Sequence, residues 1–216
     1  MTLYLFNMES SSEKNEILAR IANHLIMNTS FITDLGLYHG KMGIILFFVH
    51  YAKYSGETIY DDFAGELLDE VFEEFHTNLP INFESGLCGI GWAIGYLLKN
   101  NFIEGDSDVI LEDVDRKIME RDILRIMDNS FEKGLAGISL YVETRLKSNR
   151  KSVKTLTFDE VYLNNIEKID SQIKNTIPKD VLFEILNYSS SNNDLLKMEL
   201  GLHKGCSGIG LKMILQ

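Results

Sequence analysis

The sequence has little cysteine, little proline and a deficit of positive charge. Two cysteines among 216 residues cannot form a disulfide scaffold and fit a reducing compartment. Two prolines leave long stretches free to be helical, because proline removes a backbone donor and breaks helix interiors. Lys and Arg total 21 against 32 Asp and Glu, a formal charge of −11. That balance argues against a nucleic-acid partner, since phosphate binding displaces counterions with Lys and Arg. Long apolar runs are missing too. Residues 43–49 form the most apolar one and His50 ends it, well short of the roughly 18 residues of a membrane span. Residues 1–12 lack the basic start and apolar core of a signal peptide. These absences lead to the expectation of a soluble cytoplasmic protein without a membrane partner.

What is present is a core. Hydrophobic residues make up 45%, ordinary for a globular domain, and the length suits one domain over residues 1–216. The helical segments alternate in kind. Residues 13–27 carry Ile17, Leu18, Ile21, Ala22 and Leu25 at helical spacing. Residues 43–54 are apolar nearly all round, as a buried helix is, whereas 59–76 hold one stripe (Phe63, Leu67, Val71, Phe75) under an acidic face. The alternation continues. Segments 86–98, 134–146 and 205–215 read as buried helices, 108–127 and 158–173 as surface helices, and 178–187 as a shorter helix opened by Pro178. Residues 147–158 break the pattern as a polar insertion or short β-hairpin, with a solvated surface loop as the simplest role.

The glycines set a register. Four segments share Gly-x-x-Gly-Ile: Gly40-Lys-Met-Gly43-Ile44, Gly86-Leu-Cys-Gly89-Ile90, Gly134-Leu-Ala-Gly137-Ile138 and Gly205-Cys-Ser-Gly208-Ile209. Thirteen of the 16 glycines fall in these segments or within five residues of them, and the first glycines of the segments are 46, 48 and 71 residues apart. The first two intervals suit a two-helix repeat; the third holds the insertion and the 178–187 segment. Each motif reads as the start of a buried helix. The first glycine is expected at positive φ, in a sharp turn. The second is expected at a close helix–helix approach, because Gly inside a helix otherwise costs about 1 kcal/mol relative to Ala. Inner helices converging on an axis, each backed by an amphipathic outer helix, make an all-α fold, an α/α toroid or partial barrel; an α-solenoid shares the period. Nucleotide loops do not fit: Gly-x-x-x-x-Gly-Lys-Ser/Thr is absent, and Gly89-Ile-Gly91-Trp does not join a strand to a helix.

The blocks GLYHGKMGI (36–44), SGLCGIGW (85–92), KGLAGISLY (133–141) and GLHKGCSGIGL (201–211) resemble the inner-helix starts of the lanthionine synthetase C-like family, the cyclases of lantibiotic maturation. The resemblance covers about residues 13–216. It implies an α/α toroid of seven inner helices, of which this sequence offers four, so an incomplete toroid and a truncated member are expected. It also implies a zinc site. In the family a Trp-Cys-x-Gly block and a Cys-His-Gly block supply ligands just before a motif glycine, and the metal activates a peptide cysteine that adds to a dehydrated Ser or Thr. Here those positions hold Tyr38-His39, Glu84-Ser85, Glu132-Lys133 and His203-Lys204, with no cysteine.

The expected function is therefore a lanthionine synthetase C-like protein that is not catalytic alone and that binds or scaffolds in peptide modification. His39 and His203 are the catalytic candidates. Cys88 and Cys206, with those two histidines, are the candidate zinc ligands; the alternative makes the cysteines small buried hydrophobes. No cofactor is expected unless that zinc set forms. Two other functions stay open: a zinc-dependent cyclase completed by oligomerisation or a partner chain, and an unrelated toroid enzyme acting on sugars through acids such as Glu84 and Asp34. The partner expected is a peptide or protein. Self-association or a partner is expected through the C-terminal segment, where an open arc exposes Ile209, Leu211, Met213, Ile214 and Leu215.

Overall fold

A computed structural model describes residues 2–75, 79–148, 158–173, 175–187 and 197–216, with the side chains of 2–11 and 170–172 outside the description. Every regular element among the described residues is helical. In chain order these are α1 (Thr2–Asn28), α2 (Lys41–Ser55), α3 (Thr58–Glu74), α4 (Leu87–Lys99), α5 (Ser107–Ile110), α6 (Glu112–Met119), α7 (Leu135–Lys147), α8 (Glu160–Ile173), α9 (Val181–Leu186) and α10 (Cys206–Leu215). Two 3₁₀ turns, Thr29–Phe31 and Ile123–Arg125, complete them. No helix among the described residues is long and apolar enough to cross a membrane.

The alternation of buried and surface helices follows the residue pattern. In α2, Met42 through Val49 are all buried, while α3 buries only Ala64, Leu67, Leu68 and Val71. Inner helices α2, α4, α7 and α10 follow the four motifs; α1, α3, α6 and α8 pack outside them. Lys41 joins the two layers. Its buried ammonium lies 3.0 Å from Glu70 and 2.7 Å from Glu74 on α3. Burial works against that charge, but the two carboxylates outweigh it and raise the lysine's pKa.

Three expectations change. The surface helix expected over 108–127 is three pieces, because Asp106 accepts from the Asp108 N–H and Asp122 from the Leu124 N–H, and such local bonds compete with a continuous helix. The C-terminal helix is not an open apolar face. It packs on α2, α1 and α9; Leu211 is fully buried, and Ile209, Met213 and Ile214 are partly buried against the core, leaving Leu215 exposed. The insertion at 147–158 lies mostly outside the described residues; of its ends, Lys147 closes α7 and Phe158 is buried against Tyr162.

The third change concerns the glycines. The first glycine of each motif has φ between −104° and −118°, extended backbone that any residue adopts, so no positive φ is involved. The need is steric. A Cβ on Gly40, Gly86 or Gly134 would stand 2.0 to 2.4 Å from the carbonyl oxygen six residues upstream. Those carbonyls, of Asp34, Pro80 and Asp128, accept from the first N–H of the helix, as Glu199 does for Cys206, at 2.8 to 2.9 Å. The loop backbone thus caps each inner helix without a side-chain cap.

The second glycines take part in the ring. Gly43, Gly89 and Gly137 each face a side chain from a neighbouring motif loop: Leu202, Leu37 and Phe83 respectively. These three residues hold the same place, three before the first glycine of their own motif. The ring therefore runs from motif four to one, then two, then three. Further along the helices, a ring rests where a Cβ would be. Phe47 of α2 covers Gly210 of α10, and Tyr141 of α7 covers Gly91 of α4.

Candidate functional site

The loops before the four motifs meet on one rim of the ring. A chain of backbone hydrogen bonds links equivalent residues, each two before its glycine. The His203 N–H donates to the Tyr38 carbonyl (2.9 Å), the Tyr38 N–H to Glu84 (3.0 Å), and the Glu84 N–H to Glu132 (2.9 Å). These bonds bring together the positions that the resemblance marks as functional.

His39 is the centre of the cluster. Its Nε2 lies 3.3 Å from Glu84 Oε1 and its Nδ1 3.5 Å from Glu199 Oε2. Lys133 approaches the other oxygen of Glu84 at 3.5 Å. The His203 ring stands edge-on to His39 with centroids 5.9 Å apart, and tilted over Tyr38 at 5.3 Å. His203 Nδ1 is 3.3 Å from the Ile185 carbonyl. That oxygen can only accept, so the bond exists when Nδ1 carries the proton. Tyr38 is buried; that burial, and then Glu132, Glu84 and Glu184, push its phenol pKa up and keep it protonated. The cluster combines two imidazoles with carboxylates and an ammonium, a set suited to holding polar backbone and to moving protons.

The expected zinc set does not assemble. Cys88 and Cys206 are both fully buried. Burial, and then Asp115, hold the Cys88 thiol well above its ordinary pKa; burial pushes the Cys206 thiol up to about 11. No three His, Cys, Asp or Glu side chains among the described residues are grouped to hold a metal ion. The described residues offer no such set for the family's zinc. Of the acids considered for sugar chemistry, Glu84 belongs to the His39 cluster, and Asp34 accepts from the Gly36 N–H at 2.7 Å within its own turn.

Two members of the cluster were not singled out from sequence, Lys133 and Glu199. Lys133 sits one before its motif glycine, where the register pointed. Glu199 lies six before its glycine and reaches His39 only because motif four closes against motif one.

Inner helices opened by Gly-x-x-Gly, backed by an outer layer and bringing their leading residues to one rim, define an α/α toroid. The family model for the lanthionine synthetase C-like protein matches residues 32–211, and the chain belongs to that family. Comparisons with curated proteins and with solved structures return no match.

Proposed function

We propose that this protein acts in peptide modification as a peptide-binding lanthionine synthetase C-like protein whose own residues do not hold the zinc of cyclisation. One observation carries the reading. The rim that gathers the positions marked by the resemblance holds Tyr38, His39, Glu84, Lys133 and His203, while both thiols are fully buried. The rim can hold peptide backbone and carboxylates, but it presents no thiolate to a metal. A cytoplasmic setting fits the two free cysteines.

A second reading has one observation in its favour. His39 and His203 stand side by side, as proton-transfer groups would in a cyclase whose metal ligands come from another chain. One experiment tests the first reading. A labelled peptide bearing one cysteine and one dehydrated serine is incubated with the protein and zinc, and free thiol is then alkylated. The expected result is saturable binding by anisotropy with the thiol still alkylated. Loss of the thiol with the protein alone rejects the first reading. A Kd weaker than about 1 mM rejects peptide binding.

A further inference from the structure

Three inner helices, α4, α7 and α10, start at the rim and end around a cavity of about 800 Å³. The size is within the range of ligand sites, roughly 300–1,000 Å³. Its wall includes Trp92, Tyr96, Leu140 and Leu182. Phe183 and Leu215 also line it and are exposed. Gly95 lies on the wall with open space where a Cβ would be.

Its charge is opposite to that of the chain. Acids outnumber Lys and Arg in the sequence by 32 to 21, but this wall carries Lys99, Lys147, Lys179 and Lys212 with one acid, Asp180. Lys147 is paired with Glu143. Among the described residues Lys99, Lys179 and Lys212 have no ion-pair partner, and Lys99 and Lys179 are exposed. Lys99, Lys147 and Lys212 stand in the last turns of α4, α7 and α10, where positive charge offsets the helix dipole. The dipole accounts for a lysine at each helix end. It does not account for three such ends and Lys179 meeting around one apolar cavity.

We propose that this cavity binds an acidic peptide segment, with apolar side chains against Trp92 and carboxylates at the lysine edge. The proposal rests on the peptide-binding reading and gives that peptide a second contact, at the end of the ring opposite the His39 cluster.

Trp92 is the sole tryptophan in the sequence and lines the cavity, so its fluorescence reports occupancy. The probes are labelled peptides of about eight residues, roughly 28 Å when extended, alternating Leu with Glu, Gln or Lys. Each is titrated against the full chain and followed by anisotropy and by Trp92 emission. The expected result is a saturable Trp92 response to the Glu peptide, with affinity falling as salt rises. Lys99→Glu combined with Lys179→Glu should weaken that binding by roughly tenfold or more, with little change in Tm. Gly95→Leu should block the cavity without lowering Tm, because Leu is the better helix former.

Each contrary outcome has its own meaning. Peptides that bind without charge preference, or without a Trp92 response, overturn the cavity proposal and leave peptide binding at the rim standing. Failure of every peptide to bind by anisotropy removes both. Concentration-dependent dimers that the lysine reversals dissociate assign the cavity to a second copy of the chain and overturn the proposal.

Discussion

The His203 N–H donates to the Tyr38 carbonyl at 2.9 Å, joining the last motif to the first. The same junction seats Leu202 on Gly43 and Phe47 on Gly210. Motif four thus stands before motif one in the ring, and α10 has α2 and α1 as its neighbours. The closure also brings Glu199 to His39.

Sterics hold the motif glycines in place, and the exposed Gly65 supplies the contrast. A Cβ on Gly89 would stand 1.9 Å from the Phe83 carbonyl, whereas one on Gly65 in α3 would meet nothing within 4 Å. Gly89→Ala should destabilise by about 1–3 kcal/mol or more, as overpacking does. Gly65→Ala should stabilise by up to about 1 kcal/mol. Urea unfolding of the two variants checks both signs; equal effects would reject the packing argument.

A buried ion network ties α6 to α7. Arg145 donates to Asp115 through Nε (2.9 Å) and Nη2 (2.7 Å), and Tyr141 donates to the same carboxylate at 2.6 Å. Asp115 and Arg145 are 0% and 3% exposed. Arg145→Met should cost about 3–5 kcal/mol, because it leaves a buried carboxylate without its cation. Asp115→Asn with Arg145→Met should cost much less than the sum of the single changes. A double-mutant cycle by chemical denaturation measures the coupling.

His50 links stability to pH. Its Nε2 lies 2.9 Å from the Tyr96 hydroxyl. Burial, and then Lys53, push its pKa down to about 4, from near 6.5 in the unfolded chain. Between these values the unfolded state binds more protons, so stability rises with pH. The contribution is complete above about pH 6.5 and is lost as pH falls towards 4. His50→Gln should flatten the urea midpoint over that window. An unchanged pH slope would remove His50 as the cause.

Motif four carries two local costs. Lys204 sits at φ 59°, in the left-handed region, and the buried Ser207 hydroxyl has no partner among the described residues. Lys204→Gly should stabilise by about 0.5–1 kcal/mol, relieving the Cβ strain less the added freedom of the unfolded chain. Ser207→Ala should stabilise by about 1 kcal/mol by removing a buried unpaired group. Thermal unfolding of each variant checks the direction.

Much of the fold is legible in the sequence, because glycine spacing and the change from all-round apolar to striped helices are periodic signals. The four inner helices start at the four motifs. What escaped is backbone geometry and the meeting of motif four with motif one, which side-chain patterns do not encode. The clash that demands Gly86 comes from the Pro80 carbonyl, and composition carries no trace of that approach. The break near Leu111 depends on Asp106 capping a short helix rather than facing solvent in a long one. At the site, register marks His39, His203 and Glu84. Glu199 needed the ring closure, which no spacing rule supplies.

The central claim is that the rim binds peptide while the chain's own residues hold no zinc. Zinc analysis of the purified chain, dialysed against zinc and then against buffer, tests it most directly. The expected result is zinc well below one equivalent, unchanged by Cys88→Ser with Cys206→Ser. One tightly held equivalent, lost in that double variant, would contradict the claim and restore Cys88 and Cys206 as metal ligands.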